Sequence, residues 1–169
     1  DRSVLGDVVA EASAAFGAIA SKQVHAIDEG DIGQLDAFKA MPHVEVIPAN
    51  TAQTGVARGQ VDQAPFDDAR VRKALRLAID TPSVLQAAHR GLGAPAEHHH
   101  VAPIHPDYAE LPFMARDVEA AKALLAEAGH GDGLELEIAC KKDPAWELLA
   151  VQAMVEQWKE AGIDVSINL

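Results

Sequence analysis

The sequence predicts an α/β fold: a mixed β-sheet flanked by helices, closing on a C-terminal parallel βαβ unit. Two observations in the last third carry that reading. Leu134, Leu136, Ile138 and Cys140 alternate with Glu135, Glu137 and Ala139, and Ile163, Val165, Ile167 and Leu169 repeat the pattern. Such period-two alternation marks half-buried strands. Between them, Asp143-Pro144 opens a helix-period run with Leu148, Val151, Val155 and Trp158 inward, and Gly162 ends it. A helix joining two strands of this length implies parallel pairing through a right-handed crossover. The upstream part supplies the third observation, helical segments separated by short extended runs.

The first helix spans about Asp7 to Ser21, with Val8, Ala12, Ala15, Phe16 and Ile19 at helical spacing. "QVHAID" reads as a short strand, and "DEGDIGQLDAFKAM" as a short helix stopped by Pro42. "HVEVIPA" and "TGVARGQVD" read as two extended segments around a polar turn. In "APFDDARVRKALRLAID", Asp67 or Asp68 can cap the helix, and Val71, Ala74, Leu75 and Ala78 form its apolar stripe. Arg70, Arg72, Lys73 and Arg76 spread over the other faces as a solvated side, with one or two arginines expected in fixed salt bridges. Thr81-Pro82 is read as a cap and first-turn proline, with Gly91 as the stop. Residues 91–116 then form a long loop with four prolines and four of the eight histidines. Long irregular stretches inside a domain are usually functional or lie against a neighbour. Asp117 caps a helix with Val118, Ala121, Leu124, Leu125 and Ala128 inward, and Gly129 stops it.

Composition narrows the function classes. The 169 residues suffice for one domain with a real core, or one lobe of something larger. Acidic residues outnumber Lys and Arg 26 to 14, a net charge of −12. Nucleic acids and anionic membrane surfaces need a basic face, so neither is an expected partner. No apolar run reaches the length of a membrane span, so direct insertion is not expected either. The single cysteine, Cys140, excludes an internal disulfide and reads as a small buried hydrophobe in its strand.

The ordered set "PFDDARVRKALRLAID", "GLGAP…HPDYAELPF", "DVEAAKALLAEAG" and "QWKEAGIDVSI" resembles the extracellular solute-binding proteins of the peptide/nickel class, which serve ATP-driven bacterial importers. The resemblance runs from about residue 8 to the end. It implies part of a type II periplasmic-binding-protein-like lobe, and residues 1–169 as a single lobe fragment of a larger two-lobed protein. It also implies capture of oligopeptides or a similar small solute, an ABC permease as partner, and a periplasmic or extracellular, membrane-associated location. Neither catalysis nor a cofactor is expected. The family's aspartate for a bound peptide's amino terminus would lie past Leu169.

The resemblance places "TGVARGQVD" near the ligand cleft. Strand geometry puts Arg58 and Gln60 on one face with Val56 and Asp62. A guanidinium there can hold a carboxylate in a bidentate fork, and Gly59 would let a ligand or backbone come close. The plain alternative is an exposed strand arginine beside a bulge glycine.

A rival reading is a nickel- or zinc-binding module on His98, His99, His100 and His105. Adjacent residues of an extended loop point in different directions, which weakens it. A free-standing interaction domain is a second rival. For catalysis, Ser83 and Ser166 lie outside any Gly-x-Ser-x-Gly elbow, and there is no glycine-rich phosphate loop. Asp67-Asp68 reads as helix capping, and Trp146 and Trp158, twelve apart on one helix, as packing.

Overall fold

The computed structural model describes residues 12–49 and 51–169. The chain divides into two compact units, Asp1–Ala49 and Asn50–Leu169.

In the first unit, α1 spans Ala12–Ala20, and the expected start from Asp7 to Glu11 lies outside the described residues. Phe16 on α1 meets Phe38 on α2 (Leu35–Lys39) with ring centroids 5.1 Å apart. Asp31 accepts from the Gly33 amide and caps a single 3₁₀ turn, Ile32–Gln34, that leads into α2. The expected short helix therefore begins as a 3₁₀ turn, and it ends before Pro42. The expected strand "QVHAID" does not form: residues 23–28 carry no ladder among the described residues. A strand needs a neighbour to take its amides and carbonyls, and the described residues of the first unit offer none.

The second unit is built on the predicted βαβ element. β1 (Leu134–Ala139) and β2 (Ile163–Asn168) pair in parallel, from Leu134 opposite Ile163 to Ala139 opposite Asn168. α6 (Ala145–Glu160) crosses between them. Leu134, Ile163 and Val165 point into the core with Val151 and Trp158 of α6, while Glu135, Glu137, Asp164 and Ser166 face outward. Cys140 lies just past β1 and is half-buried, less enclosed than its alternation suggested. These two strands are the whole sheet among the described residues. "HVEVIPA" and "TGVARGQVD" are extended but unpaired.

Three more helices complete the unit: α3 (Ala69–Leu77), α4 (Thr81–His89) and α5 (Val118–Glu127). α3 packs on α5 and α4 on α6. Val71, Ala74 and Ala78 of the α3 stripe are fully buried with Ala121 and Leu125 of α5. Asp68 caps α3 and Asp117 caps α5, each accepting from an amide of the first turn. For α4 the cap is Asp80 rather than Thr81; its carboxylate accepts from the Ser83 amide at 3.1 Å. At the other end Arg90 adopts a left-handed conformation one residue before Gly91 (φ 53° and 76°).

The arginines of α3 have fixed tasks. Arg70 forks onto Asp68 with contacts of 2.6–3.1 Å and donates to the Glu127 carbonyl at the end of α5 at 2.7 Å. Arg72 donates to the Phe66 and Asp67 carbonyls at 2.6 and 3.0 Å, closing the turn that enters α3. Lys73 and Arg76 remain exposed. The far end of α3 is tied as firmly. The Leu75 carbonyl accepts from the Trp158 indole at 3.0 Å, Leu77 from the Asp117 amide at 2.8 Å, and Ala78 from Arg116 at 2.9 Å.

Hydrogen bonds from the Arg70 side chain and amide hold the Asp68 carboxyl at about 2, below its ordinary 3.8. The unfolded chain then takes up this proton first. The stability from this group is fully present above about pH 4 and is lost as the pH falls towards 2. Asp68→Asn is expected to lower the denaturation midpoint at neutral pH, with the gap to wild type closing as the pH approaches 2. Acid titration of urea unfolding checks this; a gap that persists at low pH contradicts it.

Candidate functional site

The segment expected to face a ligand runs from Thr54 to Gln60, ahead of the turn into α3. From Thr54 to Gly59 no backbone amide or carbonyl pairs with another residue of the second unit. Arg58 and Gln60 are exposed, as is Val56, and Arg58 has no carboxylate partner among the described residues. Among the described residues of its unit, the segment thus offers a guanidinium without a carboxylate partner, a carboxamide and a run of main-chain groups without backbone partners. Asp62 lies in the following turn, so it does not share a strand face with Arg58.

Two rings fix the course of this segment. A side-chain carbon at Gly59 would stand 2.6 Å from Cδ1 of Phe66, so Gly59 makes room for the Phe66 ring. The sequence had suggested space for a ligand or another backbone; the occupant is the neighbouring phenylalanine. At Gly55 the same construction meets Cζ3 of Trp146 at 3.2 Å. Trp146 in turn faces His89 with ring centroids 5.3 Å apart. Burial pushes the His89 imidazole below its ordinary value, which favours the neutral ring in this stack. Sequence reasoning missed Trp146 and Phe66 as supports, although two glycines four residues apart signalled close approach.

The histidines do not converge. His99 Nε2 lies 3.1 Å from a Glu97 oxygen, and Tyr108 donates to both Glu97 oxygens at 3.0 Å. Loss of solvent and the Glu97 carboxylate hold the Tyr108 phenol above its ordinary value. His98 has left-handed backbone (φ 62°), and burial followed by Arg76 and His99 lowers its imidazole. His100 is exposed, and its carbonyl lies 3.5 Å from the Thr54 hydroxyl. Among the described residues no group of three or more His, Cys, Asp or Glu is arranged to hold a metal ion.

Residues 90–117 contain no helix or strand, and Leu111 and Phe113 stand exposed on them. Shallow hollows open at the starts of β1 and β2, lined by residues such as Lys122, His130, Asp132 and Lys159. Neither hollow includes Arg58 or Gln60, and their mixed charges form no concerted site. No described helix is long and apolar enough to cross a membrane.

The arrangement of helices on a parallel strand pair is that of type II periplasmic binding proteins. A dipeptide-binding protein from a Pseudoalteromonas species, solved with Met-Leu, superposes with a TM-score of 0.76 at 22% identity over 95% of this chain and 32% of its own. The profile of the bacterial extracellular solute-binding proteins, family 5 Middle, matches residues 3–169, and the chain belongs to that family. Heme-binding protein A of Haemophilus influenzae is 28% identical over 137 residues, 81% of this chain and 25% of that protein. The dipeptide-binding protein of Escherichia coli is 29% identical over 109 residues, 64% of this chain and 20% of that protein. The chain thus spans a quarter or less of the curated relatives it matches.

Proposed function

We propose that the protein carrying this chain is the substrate-binding component of a bacterial ABC importer, taking up peptides or similar small solutes outside the cytoplasmic membrane. Its 169 residues form part of one lobe, and Arg58 and Gln60 face the ligand. The observation that carries the site is the Thr54–Gly59 run, which among the described residues of its unit has no backbone partner and whose arginine has no carboxylate partner. An extended peptide can add to such a run through backbone hydrogen bonds. Arg58 can close on its carboxylate in a bidentate fork. Ligand touching both lobes favours the closed state, which an ABC permease in the membrane then recognises. No bond is made or broken. The name of the family supports a periplasmic or extracellular location.

Calorimetric titration of the natural full-length protein with di- to pentapeptides tests this reading. Removing a charge-assisted hydrogen bond costs about 1.5–3 kcal/mol, so Arg58→Ala is expected to weaken binding about 10- to 100-fold. Peptides amidated at the C-terminus are expected to bind wild type as weakly as free peptides bind the variant. Equal affinity of free and amidated peptides for wild type sinks the assignment of Arg58. Hemin is the second probe, since one relative is named for heme.

A further inference from the structure

We propose that Trp146 is the positioning residue of the segment that bears Arg58: its indole, close to both the His89 ring and the Gly55 backbone, fixes where that segment runs. The inference rests on the reading of Arg58 and Gln60 as ligand-facing, and it names what holds them in place.

A strand inside a sheet is located by its ladder. The Thr54–Gly59 run has none within its unit, so its path must be set by side-chain contacts. Two are close enough to do this, Trp146 beneath Gly55 and Phe66 beneath Gly59. Arg58 lies between these two pins. The Thr54 hydroxyl adds a long contact of 3.5 Å to the His100 carbonyl.

Phe66 belongs to the turn that follows directly, so it restrains the segment only locally. Trp146 comes from 91 residues later in the chain, on the first turn of α6. That turn is itself anchored: the Glu147 carboxylate accepts from the Lys141 amide at 2.8 Å, and α6 packs along α4. The His89 ring also lies against the indole, at an interplanar angle of 32°. Trp146 therefore refers the position of Arg58 to the βαβ element. Without the indole, the segment keeps its chemistry and loses its address. A first side-chain carbon at residue 55 would stand 3.2 Å from the indole, so a side chain there makes the ring or the segment give by a few tenths of an ångström.

The test uses limited trypsin digestion after the exposed Arg58, whose rate rises as the segment is held less firmly. On the natural full-length protein, followed by mass spectrometry, Trp146→Ala is expected to speed cleavage after Arg58 about tenfold. Cleavage after Lys122, on α5, is expected to stay at the wild-type rate. Trp146→Phe, which keeps a ring under Gly55, is expected to restore most of the protection. Cleavage after Arg58 at the wild-type rate in a folded Trp146→Ala protein overturns the proposal. If Trp146→Ala does not fold, Gly55→Ala decides: cleavage should accelerate in wild type but not in a Trp146→Leu background. Equal acceleration in both backgrounds removes the coupling and the proposal with it. Peptide affinity is expected to fall about tenfold in the same variants, with melting temperature little changed, because preorganisation is lost. The cleavage readout needs no ligand. A protein that binds none of the probe peptides defeats the ligand reading alone, and leaves the cleavage rates to judge Trp146.

Discussion

Trp158→Ala lowers the stability of the second unit by about 3–5 kcal/mol, the range for removing a large aromatic ring from a packed core. Trp158 is only 7% exposed and sits among Leu134, Ile163 and Val165 of the sheet and Leu75 of α3. The loss has two parts that a second variant separates. Trp158→Phe keeps most of the apolar volume and removes the indole N–H, which leaves the Leu75 carbonyl without its donor. An unsatisfied buried carbonyl costs about 1–3 kcal/mol. Urea unfolding of both variants checks the order, with alanine well below phenylalanine and phenylalanine below wild type. If phenylalanine matches wild type, the Leu75 carbonyl has found another donor and the tie between α6 and α3 is apolar only.

Gly59→Ala is expected to cost about 1–3 kcal/mol, the usual range for forcing volume into an occupied place. The new methyl would stand 2.6 and 2.7 Å from Cδ1 and Cγ of Phe66, closer than atoms pack. Arg72 holds the Phe66 carbonyl at 2.6 Å, so the backbone beneath the ring stays in place. The segment carrying Arg58 must therefore lift, so peptide affinity should fall together with the melting temperature. Phe66→Ala in the same chain vacates the space and is expected to recover part of the loss. An alanine at position 59 that leaves both quantities unchanged would mean that the ring moves freely after all.

The sequence made the βαβ element legible because its alternation is strict and glycines stand at its corners. Gly133 and Gly162 have φ of 121° and 81°, conformations that other residues rarely adopt. Helices α3 and α5 were equally clear, each carrying an aspartate at its cap and small residues toward the core. The extended runs were legible as extended but not as strands. Alternation records which side chains want burial, whereas pairing depends on whether another strand lies alongside, and "QVHAID" and "TGVARGQVD" find none among the described residues. The α4 cap was misplaced by one residue because Asp80 and Thr81 are both good caps, and only the backbone decides between them. The arginines show the same limit. Charge pattern identified one or two of them as bridging, and Arg70 does fork onto Asp68. Its bond to the Glu127 carbonyl and those of Arg72 to the Phe66 and Asp67 carbonyls are contacts no side-chain alphabet reveals. Of the candidate site, Arg58 and Gln60 could be named from a resemblance. Trp146 could not, since its contact with Gly55 spans most of the second unit.

The three donors at the end of α3 also bear on how the second unit behaves as a thermodynamic body. Leu75, Leu77 and Ala78 are held by α6, by the amide of Asp117 and by Arg116. The last two close the far end of the long irregular stretch, so that stretch leaves and returns to the same packed framework. Its length costs little, because loop-closure entropy grows only as the logarithm of the number of residues. The helices before it and the βαβ element after it share carbonyls as well as apolar area. The unit is therefore expected to melt in a single cooperative step despite nearly thirty residues without regular structure.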